Sequence, residues 1–373
     1  MQKIRFLAFS TGRHMGGGTM ASATIPTPAP PADRDEPRQS KPRAIAWWLM
    51  AVAGLVFLMV VVGGITRLTE SGLSMVRWEP ISGIIPPMGA EQWQAEFAAY
   101  QASPEYQQVN RGMSLAQFQT IFFWEYLHRA LGRLIGLAFA LPLFWFWIRK
   151  AIPAGYGWRL VALLALGGLQ GAIGWWMVAS GLIDRPDVSH IRLAVHLMAA
   201  LFIFGGLIWT ALDLFALDRD PAARPARLTW GGLIVLAIVA GQIKLGAFVA
   251  GLDAGFAFNS WPKMGSEWFP SGTPMLSPWW SNFADNPIVV QFAHRWWAVV
   301  TVIALIWLAR QARKQRRLAS VAIHSAFGTQ FLLGIATLLT GVNIVVATAH
   351  QAVGALVVAT MVWGIHLIGR RPA

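Results

Sequence analysis

The chain has 373 residues, 55% hydrophobic and 13% charged, which is too apolar for a water-soluble protein of this size and points to a polytopic membrane protein. Its net charge is +13, but the bases cluster in short loops between apolar runs, a pattern that fits membrane topology and anionic lipid rather than nucleic acid. Cysteine is absent, so disulfides, thiolate metal sites and cysteine nucleophiles are excluded. Twenty Trp suit interfacial belts, or walls around a flat aromatic ligand.

Residues 1–43 are rich in Pro, Ala and Gly and lack periodicity, as in Thr27-Pro28-Ala29-Pro30-Pro31. They are expected to form a disordered cytoplasmic tail. The tail lacks the apolar core of a cleaved signal peptide, and Met15 or Met20 could replace Met1 as the start.

Eight apolar runs follow, at about 44–66, 118–148, 159–181, 190–215, 228–250, 287–309, 319–340 and 346–368. Each is long enough to cross ~30 Å of hydrocarbon at ~1.5 Å per residue. Loops after the even spans carry Arg149, Lys150 and Arg159, then Arg219, Arg224 and Arg227, then Arg310, Arg313, Lys314, Arg316 and Arg317. Lys41 and Arg43 precede the first span, and Arg370 and Arg371 follow the last. The opposite loops hold Arg77 and Arg111, Arg185 and Arg192, then Lys263. This asymmetry predicts both termini in the cytoplasm, with odd spans running outward.

Two outer loops are long, at about 68–113 and 252–286, and neither shows obvious secondary structure. Both are rich in Trp, Pro and Gly, including Trp78-Glu79-Pro80, Ile85-Pro86-Pro87, Trp261-Pro262 and Trp279-Trp280. They are expected to be lids on the outer membrane surface.

The spans look duplicated. His128-Arg129 in span two matches His294-Arg295 in span six, and His196 in span four matches His350 in span eight. Gly168-Leu169-Gln170-Gly171 matches Gly328-Thr329-Gln330. Gly64-Ile65-Thr66-Arg67 is set against Gly241-Gln242-Ile243-Lys244. Four spans per repeat imply a parallel relation between the halves.

His128, His196, His294 and His350 are expected at one depth, near the outer starts of inward-running helices. Ser114-x-x-Gln117 reads as a capping box, so the helix of His128 starts early. His14 lies in the tail. His324 and His366 read as interfacial residues, and His190 as a surface residue. Two histidines per four-helix half suggest bis-imidazole ligation, as proteins commonly hold haem. Structural zinc wants four N or S ligands, and each half offers two. Gly63, Gly64, Gly168, Gly171, Gly174, Gly241 and Gly246 would let backbones approach a macrocycle, or each other. Arg129, Arg133, Arg295, Arg67 and Lys244 need anionic partners at this depth. Haem propionates would serve; snorkelling to lipid phosphate is the alternative for Arg67 and Arg133.

Glu125 shares a helix face with His128, and intramembrane carboxylates usually mark function. Its counterpart in span six is Gln291. The asymmetry makes the first half the place of chemistry and the second an electron-transfer site.

These residues resemble the haem A synthase family from span one to span eight. The resemblance rests on Gly64-Ile65-Thr66-Arg67-Leu68-Thr69-Glu70-Ser71-Gly72-Leu73-Ser74 and on Glu125-x-x-His128-Arg129-x-x-Gly132-Arg133. It continues through Gly171-Ala172-Ile173-Gly174-Trp175-Trp176-Met177-Val178, Arg192-Leu193-Ala194-Val195-His196-Leu197, Asn259-x-Trp261-Pro262, His294-Arg295 and His350-Gln351. Some members carry a cysteine pair in the first outer loop; this chain resembles the cysteine-free branch of proteobacteria and mitochondria.

The resemblance implies His128, His196, His294 and His350 as haem-iron ligands and Glu125 as the functional glutamate. It implies oxidation of the C8 methyl of haem O to a formyl group in the first half (44–215), with haem b in the second (228–368). The expected fold is all-α, with eight transmembrane helices in two pseudo-symmetric four-helix bundles, each with a haem site. The expected location is the bacterial inner membrane. Expected partners are haem O, membrane lipid, an unidentified electron acceptor or donor, and, as candidates, haem O synthase and cytochrome oxidase assembly factors. The rival reading is a di-haem, cytochrome b-like electron carrier, which leaves Glu125 idle; a transporter with paired repeats would waste the histidines.

Overall fold

The computed structural model describes residues 40–77, 82–183 and 186–370. Residues 1–39 of the expected tail with His14, as well as Trp78-Glu79-Pro80, Arg185 and Arg371, lie outside the described residues.

Among the described residues eight helices are long and apolar enough to cross a membrane: α1 (Pro42–Leu68), α4 (Leu115–Ile148), α5 (Gly157–Ala179), α6 (His190–Arg219), α7 (Trp230–Gly251), α9 (Pro287–Arg313), α10 (Arg317–Leu339) and α11 (Ile344–Gly369). The protein is all-helical and passes the membrane several times. Shorter helices α2 (Ala90–Gln101), α3 (Pro104–Gln108) and α8 (Asn282–Asp285) lie in the two long loops.

Local chemistry sets the ends. Pro42 and Pro287 stand at helix starts, where a missing N–H costs nothing. Asn286 and Asn343 cap α9 and α11 by accepting from backbone N–H groups. At α4 the expected capping box is present: Gln117 N–H donates to Ser114 Oγ, and Ser114 N–H donates to Gln117 Oε1. Further along α4, Pro142 has no N–H for the carbonyl of Ala138. The indole N–H of Trp48 on α1 fills that place at 2.8 Å.

Helices α1, α4, α5 and α6 close a ring: α1 packs on α4 and α6, and α5 on α4 and α6. Helices α7, α9, α10 and α11 do the same in the same order. Contacts of α6 with α7 and of α11 with α1 and α6 join the rings. The largest core cluster runs through this junction, including Leu49, Leu207, Leu308 and Met361. Accordingly α1 and α11 bury 44% and 50% of their most apolar windows, whereas α5 and α10 bury 6% each and form the periphery.

The long loops are more structured than their sequences suggest. The first holds α2 and α3 and has its own aromatic core, with Phe97 and Tyr100 packed on Phe118 and Phe122 of α4. The early start of α4 provides the surface for that core. In the second loop Phe269 meets Phe292 of α9 edge-on, and Trp261 meets Phe331 of α10.

Candidate functional site

His196, His294 and His350 lie about two turns into α6, α9 and α11, and His128 about two turns deeper along the longer α4. In each ring the two histidine helices occupy alternate corners. His128 lies within electrostatic reach of His196, and His294 within reach of His350.

Each imidazole lies against a glycine of the preceding membrane helix. A methyl group at Gly63 of α1 would stand 2.9 Å from Cε1 of His128. The corresponding distances are 3.0 Å for Gly174 and His196, 2.9 Å for Gly246 and His294, and 3.0 Å for Gly334 and His350. Four glycines therefore make four seats for four rings. Gly334 escaped the sequence reading, and the register of α1 against α7 shifts: Gly63 corresponds to Gly246, not Gly64 to Gly241. Gly64 instead admits the side chain of Gln351, and Gly241 the indole of Trp297. Gly168 and Gly171 have no heavy atom within 4 Å of an added Cβ, beyond their own helix and neighbours.

Glu125 is 3% exposed, and its carboxylate is held by three donors. Ser74 Oγ donates to Oε2 at 2.7 Å, Met75 N–H to Oε2 at 2.8 Å, and Arg129 Nη2 to Oε1 at 2.6 Å. Arg129 also donates to the carbonyls of Met75 and Arg77. The second half repeats the scheme with an amide. Arg295 donates to Gln291 Oε1 at 3.2 Å and to the carbonyls of Phe258, Ser260 and Lys263. Gln291 Nε2 donates to the carbonyl of Phe258. In both halves an i,i+4 pair one turn from a histidine fastens the long loop to the helix.

Three of the cations expected at propionates have protein partners in the structure. Arg129 and Arg295 hold loop carbonyls. Arg67 donates to the carbonyl of Ala250 and to Asp253 Oδ1, both at 2.9 Å, and so ties α1 to the end of α7. Lys244 is exposed and pairs with none of the described residues.

Two histidines differ from expectation. His190 is 8% exposed, not a surface residue; it begins α6, meets Phe248 of α7 edge-on, and lies 3.2 Å from Asp285 of α8. His366 is 3% exposed, and its Nε2 lies 3.0 Å from Oδ1 of the buried Asp213 on α6. Asp213, which sequence reasoning did not single out, also accepts from Arg159 at 2.6 Å and from the N–H of Ala226 at 2.9 Å. A basic neighbour in sequence space was no signal here, because Arg159 lies on a different helix.

Fold and site together define a class: a multi-pass helical membrane protein with paired histidines in each of two helix rings, and a carboxylate beside one pair. The chain belongs to the cytochrome oxidase assembly protein family, whose model matches residues 46–362. It is 56% identical over 327 residues to the haem A synthase of Rhizorhabdus wittichii, covering 87% of this chain and 94% of that one. It is 53% identical over 334 residues to the haem A synthase of Sphingopyxis alaskensis, covering 89% and 94%. Identity to the haem A synthase of Rhodospirillum centenum is 48% over 345 residues, covering 91% and 92%.

Proposed function

We propose that this chain is a haem A synthase, a membrane oxidoreductase that converts the C8 methyl of haem O to a formyl group during cytochrome oxidase assembly. The observation that carries the reading is the arrangement of four half-buried histidines, two in each helix ring and each seated on one glycine, with Glu125 beside one pair and Gln291 beside the other. The residues fit the group. Nδ1 of His128 and of His350 is buried without a hydrogen-bond partner among the described residues. Each of the four rings is backed by a glycine whose added methyl would come within 3.0 Å of it.

In this reading residues 44–215 form the substrate half, with His128 and His196 toward haem O, and residues 228–368 hold haem b through His294 and His350. Haem b, when bound, supplies one-electron transfer. The termini are cytoplasmic by the distribution of bases, and the histidine ends face outward across a bacterial inner membrane. Arg67, Arg129 and Arg295 support the sites by fixing the loops and helix ends around them; Lys244, which pairs with none of the described residues, offers its side chain to a propionate.

Glu125 is the catalytic residue. Ser74, Met75 and Arg129 fix its carboxylate one turn from His128. There it takes up the proton released as the methyl carbon is oxidised, or stabilises positive charge on that carbon. Glu125→Gln is expected to keep total haem per chain while the ratio of haem A to haem O in purified protein collapses, by about 100-fold or more. Haem A at the normal ratio and full occupancy would remove Glu125 from the mechanism and favour an electron carrier.

A further inference from the structure

Three of the four histidine seats have a glutamine one helical turn before the glycine: Gln170 before Gly174, Gln242 before Gly246, and Gln330 before Gly334. Each glutamine reaches its ring. Nε2 of Gln170 lies 3.1 Å from Nδ1 of His196, that of Gln242 lies 3.2 Å from Nδ1 of His294, and that of Gln330 lies 3.4 Å from Nε2 of His350. Gln170 and Gln242 also donate to the backbone carbonyl of the same histidine, at 3.0 and 3.2 Å. The fourth seat breaks the rule. One turn before Gly63 stands Met59, and neither ring nitrogen of His128 has a hydrogen-bond partner among the described residues, whereas His350, whose Nδ1 is likewise unpartnered, keeps Gln330 at its Nε2.

The difference has a chemical consequence. A ring that ligates metal through one nitrogen carries a proton on the other. A partner for that N–H fixes the tautomer and orientation, and losing the partner costs about 10–100-fold in affinity. A glutamine amide offers a donor or an acceptor by a half-turn of its terminal bond. The Oε1 atoms of Gln170, Gln242 and Gln330 are all buried without a partner among the described residues; turning the amide presents that acceptor to the ring, in exchange, for Gln170 and Gln242, for the bond to the histidine carbonyl. A methionine sulfur is a weak acceptor and cannot donate.

We propose that Gln170, Gln242 and Gln330 are positioning residues for His196, His294 and His350, and that Met59 leaves His128 the loosest of the four rings. The inference rests on reading the four histidines as haem ligands. It assigns retention and exchange to the two halves. The second half, with two glutamines, keeps its haem; the first, with one, lets substrate in and product out by release of His128 while His196 stays fixed.

The test follows haem transfer from purified, haem-loaded protein to excess apomyoglobin. Wild type should lose haem in a fast phase and a slow phase. Met59→Gln should slow the fast phase about tenfold, a gain that misfolding cannot imitate. Gln242→Met should speed the slow phase by about 10–100-fold, and Gln242→Glu, which restores an acceptor, should return it to the slow rate. Gln170→Met should speed the fast phase further, and decides the first half should Met59→Gln fail to fold. Unchanged rates in these variants, with haem lost from His128→Ala and His294→Ala, would overturn the positioning role alone. Full haem and an unchanged spectrum in both alanine variants would instead overturn the ligand reading.

Discussion

Glu105 is the residue in the first long loop where burial most clearly outweighs hydration. It sits in α3, 5% exposed, and burial pushes its carboxyl up to about 8, with Glu125, Glu70 and Asp187 adding to the rise and a hydrogen bond from Tyr100 opposing it. Burial and Glu105 in turn raise the phenol of Tyr100. A carboxyl that holds its proton more tightly when folded stabilises the fold fully below its unfolded value, near 4.5, and loses that contribution as pH rises through about 8. The α2–α3 segment should therefore loosen between those values. Hydrogen exchange of its amides, corrected for the intrinsic pH dependence, should show protection falling from pH 6 to pH 8 in wild type and staying level in Glu105→Gln. An equal slope in both proteins would mean that another group controls the loop.

At the scale of elements, the helices were the most legible part of the chain. An apolar run of about 20 residues declares a span by itself, and the box at Ser114 and Gln117 correctly gave α4 an early start. The positions of the histidines along their helices followed from those starts. The glycines were legible as a composition but not as a geometry, because a seat is made by a ring on another helix: Gly63 and Gly246 correspond through His128 and His294, which no local motif records. The loop contacts of the arginines were hidden for a similar reason. The carbonyls of Met75, Phe258 and Ser260 that Arg129 and Arg295 hold are backbone groups, and backbone leaves no mark in sequence. The α7–α9 seat yields a direct prediction. In Gly246→Ala the new methyl would lie 2.9 Å from Cε1 of His294, so ring or helix must move. Overpacking of this kind costs about 1–3 kcal/mol. The expected outcome is a membrane-inserted protein whose second-half haem is depleted or spectrally altered; Gly168→Ala, with open space at that position, is the matched control and should change neither. Equal behaviour of the two variants would show that the seat does not shape the site.

For the whole molecule, three ties join the two rings at different levels. Near the histidine ends, Arg67 spans from α1 to Ala250 and Asp253. In the middle, Gln351 next to His350 donates to the carbonyl of Val60 at 2.8 Å, through the gap left by Gly64. At the opposite ends, Asp213 of α6 gathers Arg159 of α5, His366 of α11 and the N–H of Ala226. The last tie is the most consequential for stability. Asp213 is 2% exposed, so its carboxylate is tolerable there only with its donors in place. Removing one partner of a buried charged network typically costs about 3–5 kcal/mol. Arg159 is 37% exposed and can turn toward water or lipid headgroups, which places the expected loss at the lower end of that range. His366 has no such escape and would be left buried without its acceptor. Asp213→Ala should therefore lower the thermal unfolding midpoint in detergent by several degrees, and Asp213→Asn, which keeps an acceptor for Ala226, by less. The network lies far along the helices from the histidine seats, so the ratio of haem A to haem O in the folded fraction should stay at the wild-type value. Full stability with a selective loss of haem A would instead give this buried pair a part in the chemistry, as a charged group coupled to the site from the other side of the membrane.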